Sequence, residues 1–401
     1  MSAEGSKRIV IAGAGYAGLR IVLRLAARLD DRQRDIELTL VDKYDYHQIL
    51  TELPRVAGGA RAAEEVRIPL HEVVDRRVAF VQTAITGFDL PGRRLITEAG
   101  EIDYWRLALA LGSRPNDFGI PGLAERALTL YSVEDARRVL AAVDASVAAA
   151  VSARTPEEQR RCLTVVIGGG GATGVELAGE LAEELPELAR RHDLSPEQCR
   201  VILIDAGPTI LAGSSPGLVA RAMQTLSDLG VEVRTNQQIA RATEEGFVLK
   251  SGEVISGGVF VWAGGVKAVD VVAGSGFSVG HNGRIKVDDC LRALDWPEVY
   301  VAGDLASVPD LATGRALPPT AQNALEQGET VADNLLAEIA GRDPQPYAHQ
   351  DRGFVVSVGG RRGAGDVLGR TVGGRVAHLL KDAIEWEYRQ SVKHLRGWSP
   401  I

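Results

Sequence analysis

Cysteine is scarce in this 401-residue chain, which carries three: Cys162, Cys199 and Cys290. They stand too far apart for a C-x-x-C redox pair, a zinc-ligand spacing or a secreted disulfide framework, so the expectation is a reducing, cytoplasmic compartment and no metal site. Positive charge is in deficit as well. Lys+Arg 45 against Asp+Glu 53 leaves a net charge of −8, which excludes a global field for holding nucleic acid or an anionic membrane. Any membrane contact has to be local. No apolar stretch approaches the roughly 18 residues of a membrane span, and the opening MSAEGSKR has no apolar core of a signal peptide. Aromatic residues are only 5% of the chain, whereas Gly 45 amounts to about 11% against a usual 7% or so. That balance suits the tight strand-to-helix turns of an α/β protein, and at roughly 100 to 200 residues per domain the length implies two or three domains.

What is present begins with a β-branched run, Arg8 to Ala12, that ends in glycine and is followed by helical spacing of Leu and Ile in GYAGLRIVLRLAARL. Gly13, Gly15 and Gly18 complete G-x-G-x-x-G between predicted strand and predicted helix, the context that makes this pattern a dinucleotide fingerprint. The first Gly permits the turn, the second admits a pyrophosphate to the backbone, the third lets helix and strand pack, and the helix N-terminus supplies unpaired N–H groups. Asp42 closes the second strand, where a carboxylate accepts hydrogen bonds from an adenosine ribose. The unit recurs: Leu163 to Ile167 runs into Gly169, Gly171 and Gly174, and Asp205 ends the next strand. Asp205 favours a free 2′-hydroxyl over a 2′-phosphate, so NADH is expected over NADPH. Two further apolar strands, Leu107 to Ser113 and Phe260 to Gly265, close on small residues that include Gly112 and Gly264 and are spaced like the fingerprints. The fold expected is α/β, with two Rossmann-like dinucleotide-binding domains.

Between the copies, Ala141 to Arg161 reads as an Ala-rich helical stretch and a polar, solvated connection. Arg284 to Asp304 supplies strands and Thr320 to Ala340 a helix capped by Thr320, and both should rejoin the first domain. The expected division is therefore 1–112 and 266–345 for one dinucleotide, 113–265 for the other, and 346–401 as a small C-terminal subdomain. That subdomain should end in an amphipathic helix from Val376 to about Arg396 with Val376, Leu380, Ala383, Ile384, Val392 and Leu395 near one face. Its mixed charges leave two readings open: a packed core or homodimer helix, or a helix lying on a bilayer surface.

Two fingerprints in one chain imply two dinucleotides, and FAD with NADH is the economical pair. At this point the chain resembles the two-dinucleotide flavoproteins, specifically the type II NADH dehydrogenases. The likeness runs in motif order through GAGYAG at Gly13, DYH-x-x-x-TEL at Asp45 to Leu53, LALGSRPNDFGIPGL at Leu109 to Leu123, GGGATGVE at Gly169 to Glu176, VAGD at Val301, and PPTAQNALEQG up to Gly328. The resemblance implies a respiratory, non-proton-pumping NADH:quinone reductase, cytoplasmic or peripheral on the inner face of the cell membrane. Its first fingerprint would hold noncovalent FAD and its second NADH. It implies that Gly303 and Asp304 form the second flavin motif, that the helix opening at Ala321 points its N-terminus at the flavin, and that Gln322 begins the quinone-site signature A-Q-x-A-x-Q. Here the second glutamine of that signature is Glu326, with Gln327 one place on. Glu176 matches the family's proton-relay glutamate, although an acidic stripe with Glu180 at i+4 is an equally ordinary reading. Lys381 matches a lysine near the quinone entrance. Two other functions remain: an NADH-dependent ferredoxin or rubredoxin reductase, and a redox-sensing flavoprotein of the apoptosis-inducing-factor type.

Overall fold

The computed structural model describes residues 7–29, 33, 35–310, 314–367 and 369–393. Two sheets carry the architecture. In the first, the order is Arg292–Ala293, Trp296–Val301, Arg106–Leu109, Lys7–Ala12, Ile36–Asp42 and Val78–Gln82, parallel except for the opening hairpin. In the second it is Leu128–Thr129, Val259–Trp262, Thr164–Gly168, Arg200–Ile204 and Glu232–Arg234, parallel throughout. The strand preceding each glycine turn is thus interior to its sheet, with its successor on one side and the last strand of its copy on the other. A three-stranded antiparallel meander precedes that last strand in both copies, over 85–103 and 239–255. The duplication read from the glycine motifs is a duplication of topology.

Interior parallel strands are covered on both faces, which is why they read as unbroken apolar runs. Ile9, Val10 and Ile11 are fully buried, as are Val166 and Ile167 in the second copy. Helix α1 (Tyr16–Arg28) and helix α2 (Ala172–Arg191) make the corresponding crossovers. Helix α3 (Ala321–Ile339) starts where Thr320 Oγ1 accepts from the Asn323 N–H. It packs on α1, fastened by ion pairs from Arg24 to Asp333 at 2.7 Å and from Arg20 to Glu329 at 3.7 Å. With Trp296–Val301 paired to Arg106–Leu109, the chain returns to the first sheet after building the second.

Between the copies, a helix over Val133–Val151, capped by Ser132, buries Val133, Ala136, Val139, Val143, Val147 and Ala150, so the helical stretch starts earlier than Ala141 and packs one apolar face. The short helix Pro156–Cys162 that follows is largely exposed. Helix α4 (Gly374–Lys393) follows an antiparallel sheet of Phe354–Ser357, Gly363–Val367 and Arg370–Gly373. Its inward face is Ala377, Lys381, Glu385, Tyr388, Ser391 and Val392, while Val376, Leu379, Ala383, Ile384 and Trp386 are exposed. Of the apolar face named from the sequence, Val392 is buried, Leu380 is half-buried and Val376, Ala383 and Ile384 are exposed, and Leu395 and Arg396 lie outside the described residues. The polar residues turn inward because each has a buried partner of complementary chemistry there.

Candidate functional site

The two glycine turns separate what the fold requires from what a ligand requires. At Gly13 (φ +103°) a Cβ would lie 2.3 Å from the Ala110 carbonyl oxygen, and at Gly18 it would lie 1.8 Å from that of Gly13. Gly169 (φ +114°) and Gly174 repeat this, at 2.4 Å from Ala263 and 1.9 Å from Gly169. Gly15 and Gly171 differ. Each has φ −71°, a value open to any residue, and a Cβ at either would meet no atom within 4 Å. No described residue demands glycine at these two positions, so the space they keep is open to a ligand against the backbone. The helix starts agree. Ser132, Ser215 and Thr320 cap the helices they precede, but Gly15 and Gly171 give α1 and α2 no side-chain cap and no acidic residue in the first turn. Their N–H groups and positive helix ends are left for an anion.

Asp42 and Asp205 brace these turns. Asp42 accepts from the Ala14 N–H at 2.6 Å and the Tyr44 N–H at 2.8 Å; Asp205 accepts from the Gly170 and Gly207 N–H groups, both at 2.6 Å. Burial raises the Asp42 carboxyl above its ordinary range although these hydrogen bonds oppose it. Each oxygen retains a lone pair for a ribose hydroxyl. Arg234, whose carbonyl accepts from the Asp205 N–H, has its guanidinium engaged by Glu232 at 2.6 Å and Glu253 at 2.7 Å, so that cation is already paired.

On the other side of the first turn, Gly303 and Asp304 follow the strand Trp296–Val301. Ser113 Oγ donates to Asp304 Oδ2 at 2.8 Å and lies 2.6 Å from the Tyr131 hydroxyl, while burial pushes the Asp304 carboxyl up. Asp304, Ser113, Arg284, Pro318 and Pro319 line one cavity of about 500 Å³. Gln327 is buried and accepts from the Gly303 N–H at 2.8 Å, so its side-chain oxygen is committed to the backbone beside Asp304. Gly112 (φ +68°) follows the strand Arg106–Leu109, and Gly264 follows Val259–Trp262, with room only for hydrogen against the Trp262 ring.

The remaining candidates fall into two groups. Lys381 Nζ donates to Glu176 Oε1 at 2.7 Å, and the Ser357 N–H donates to the same oxygen at 3.0 Å. Both side chains are buried, so Lys381 is not the solvated helix lysine its sequence setting suggests. Burial works against the Lys381 charge, but Glu176 and then Glu385 outweigh it and hold the ammonium above its usual range. In the second group, Gln322 Nε2 donates to Glu326 Oε1 at 3.2 Å and to the Gln350 carbonyl at 2.9 Å. Glu326 also faces His349 and Arg352, both at 3.4 Å, and accepts from the Tyr347 hydroxyl at 3.3 Å. This carboxylate is therefore tethered to the segment that leads into the C-terminal sheet. Among the described residues no bond joins the two groups directly; the chain from Gln350 to Ser357 links them.

Several residues given no role by the sequence are buried here. Glu180, read as part of a polar stripe, is 4% exposed, and burial first, with Glu176 next among the repulsive charges, raises its carboxyl to about 7 despite the attraction of Arg55. Glu52 is fully buried with Arg61 at 2.7 Å and Arg55 at 3.4 Å, and burial raises Glu385 as well. His47 Nδ1 lies 2.9 Å from the Ala14 carbonyl and must donate to it, so Nε2, 2.7 Å away from the Tyr388 hydroxyl, accepts. Burial holds this imidazole neutral, with its pKa lowered to about 4. His47, Thr51 and Glu52 belong to the DYH-x-x-x-TEL stretch, which was the available signal.

Comparison with known proteins places this geometry. The pyridine nucleotide-disulphide oxidoreductase family pattern matches residues 7–328. The type II NADH:quinone oxidoreductase of Staphylococcus aureus strain NCTC 8325 is 32% identical over 387 residues, covering 96% of this chain and 95% of its own length. That of Staphylococcus saprophyticus is 31% identical over the same span. Among solved structures, NDH2 from Plasmodium falciparum in complex with NADH superposes with a TM-score of 0.85 at 17% identity, covering 98% of this chain and 100% of that one. The disulphide half of the family name has no counterpart here. Cys162, Cys199 and Cys290 are free, and burial raises the Cys199 thiol to about 11.

Proposed function

The chain belongs to the pyridine nucleotide-disulphide oxidoreductase family and, within it, to the type II NADH:quinone oxidoreductases, and on that premise we propose how its own residues serve the reaction. It is an NADH:quinone oxidoreductase. The first turn, Gly13, Gly15 and Gly18 with Asp42, together with Gly112, Gly303, Asp304 and Ala321, forms the flavin cradle, and the flavin is FAD. The observation that carries this is the empty side of Gly15 between two half-buried carboxylates, Asp42 and Asp304, at the ends of strands on opposite sides of Lys7–Ala12. A mononucleotide would use one carboxylate; a dinucleotide accounts for both. The second turn, Gly169, Gly171 and Gly174 with Asp205 and Gly264, holds NADH. In domain terms, 1–112 and 266–345 serve the flavin, 113–265 serves NADH, and 346–401 covers the acceptor side.

A flavin held by Gly13, Gly15, Gly18, Asp42 and Asp304 would supply two-electron chemistry between NADH and the quinone. The protein's part is positioning and proton supply. Asp42 and Asp205 fix the turns that receive the pyrophosphates, and the unpaired N–H groups of α1 and α2 carry the charge. The Ala321 end of α3, where the Thr320 side chain takes up one of the first-turn N–H groups, would turn positive potential toward a bound flavin. Quinone reduction consumes two protons. Lys381 holds one as an ammonium beside Glu176, and Glu180, with its carboxyl near 7, exchanges one at the pH of the cytoplasm. Gln322 offers the acceptor an amide that both donates and accepts. Among the described residues no helix is long and apolar enough to cross a membrane, and the exposed Val376, Leu379 and Trp386 on α4 give the enzyme a local surface for meeting a lipid-soluble quinone. The test is the cofactor released by heat from the yellow purified protein: FAD supports the cradle assignment, and FMN or a colourless folded protein refutes it.

A further inference from the structure

Away from both dinucleotide turns, four arginines converge on a second cavity of about 410 Å³. They come from three elements. Arg221 lies on the helix Pro216–Asp228, Arg361 and Arg362 follow the Gly359–Gly360 turn of the C-terminal sheet, and Arg375 stands at the start of α4. The cavity shares no lining residue with Gly13–Gly18 or Gly169–Gly174. Its two carboxylates are already engaged: Glu183 accepts from the Gly360 N–H at 2.7 Å, and Asp228 accepts from Gln224 at 2.8 Å. None of the four guanidiniums forms an ion pair or a side-chain hydrogen bond with another described residue. This is unusual company in a chain with net charge −8, whose arginines elsewhere are repeatedly paired with Asp or Glu, as Arg8, Arg24, Arg106 and Arg234 are. Four like charges on three elements repel one another at a cost to the fold, and a bound multivalent anion removes that cost.

We propose that Arg221, Arg361, Arg362 and Arg375 form a binding site for a phosphate-bearing anion, distinct from the sites for flavin and NADH. Guanidinium is the group suited to this, because its planar fork donates two parallel hydrogen bonds to one phosphate. The positive end of α4, a 20-residue helix, opens onto the same cavity at Gly374 and adds to the attraction. The volume lies in the range of small-molecule sites, sufficient for a pyrophosphate or a glycerophosphate group. Two sources offer that chemistry: a free phosphorylated metabolite, or the headgroup of an anionic lipid, since the exposed Val376 and Leu379 begin directly after Arg375.

The experiment uses the FAD-loaded enzyme with saturating NAD⁺, so that both dinucleotide turns are filled, and titrates inorganic pyrophosphate while following thermal unfolding and heat of binding. The variants are Arg361→Gln with Arg362→Gln, Arg221→Gln with Arg375→Gln, and the single Arg375→Gln; NADH:menadione turnover at the wild-type level shows that each is folded. The wild type should bind pyrophosphate with an affinity that falls steeply with salt, and either double variant should lose roughly tenfold or more of it. A second arm measures cosedimentation with vesicles of phosphatidylcholine, alone or mixed with phosphatidylglycerol. Binding that needs phosphatidylglycerol, is lost in the variants and is displaced by pyrophosphate identifies a lipid headgroup; pyrophosphate binding with no preference between vesicles identifies a free phosphate compound. Either outcome upholds the site. Equal pyrophosphate and vesicle binding by wild type and both double variants, or none by any of them, overturns it.

Discussion

Replacing Glu180 by Gln should make the enzyme more stable at alkaline pH and no more stable at acid pH. The carboxyl is 4% exposed and one of its oxygens, Oε1, has no hydrogen-bond partner. Burial is the main cause that raises it from 4.5 to about 7, with Glu176 adding repulsion and Arg55 opposing. The unfolded chain releases this proton near 4.5 and the folded chain near 7, so between those values the folded state binds more protons. Stability contributed by the protonated form is complete below about pH 4.5, is lost as pH rises through 7, and does not return above it. The difference, 7 − 4.5 = 2.5 units, corresponds to about 3 kcal/mol at 1.36 kcal/mol per unit. An amide keeps the shape without the charge, and Arg55 is not orphaned, since Glu52 at 3.4 Å and Asp382 at 2.7 Å remain its partners. Urea unfolding of the FAD-loaded protein at several pH values from 5 to 8 tests this. The advantage of the variant should grow with pH, reaching about 3 kcal/mol at pH 8. Parallel pH curves for wild type and variant, or a variant less stable at pH 8, would refute the reasoning.

Other outcomes follow from the same geometry. Gly15→Ala should leave folding intact, since its Cβ meets nothing, yet release flavin on gel filtration, whereas Gly171→Ala should keep the flavin and raise the KM for NADH roughly tenfold or more; retention of normal flavin content and normal KM would contradict the ligand-space argument. Asp205→Ala should lower kcat/KM for NADH and narrow the NADH:NADPH ratio by about five- to a hundredfold, the equivalent of about 1 to 3 kcal/mol. The loss with NADH is expected because the variant also frees the Gly170 and Gly207 N–H groups. Glu326→Gln and Arg352→Gln remove opposite ends of one tether and should shift the quinone KM in the same direction; opposite shifts would return Glu326 to direct contact with the acceptor.

The fold was legible because the two copies repeat a short grammar: a β-branched strand, a glycine turn, an amphipathic helix and a second strand ending in Asp42 or Asp205. Local pattern suffices there, since the strands are covered on both faces and the third glycine of each turn is required by the carbonyl of the first, five residues earlier. The polar cluster was opaque for the opposite reason. Lys381 and Glu385 look like the solvated side of α4 until Glu176, Glu52 and Thr51, hundreds of residues earlier, are brought against them. Helical periodicity cannot tell an outward polar stripe from an inward one. Glu180 follows the same logic, an ordinary i+4 acid by spacing and a buried one only by virtue of Arg55 and Glu52. The departure at Glu326 was visible, but the partners that explain it, Tyr347, His349 and Arg352, come from a segment with no motif of its own.

The central claim is that hydride enters at the second glycine turn while the quinone is served from the Glu176 and Lys381 corner, and one measurement addresses both halves. In anaerobic double-mixing stopped flow, NADH first reduces the bound flavin and menadione then reoxidises it, for the wild type and for Glu176→Gln. Flavin reduction by NADH should stay within about threefold of wild type, or about 0.65 kcal/mol of barrier, while reoxidation by quinone should slow by about tenfold or more and change its pH dependence. Unaltered reoxidation at every pH, or a loss confined to the NADH step, would contradict the assignment of this buried ion pair to the acceptor side.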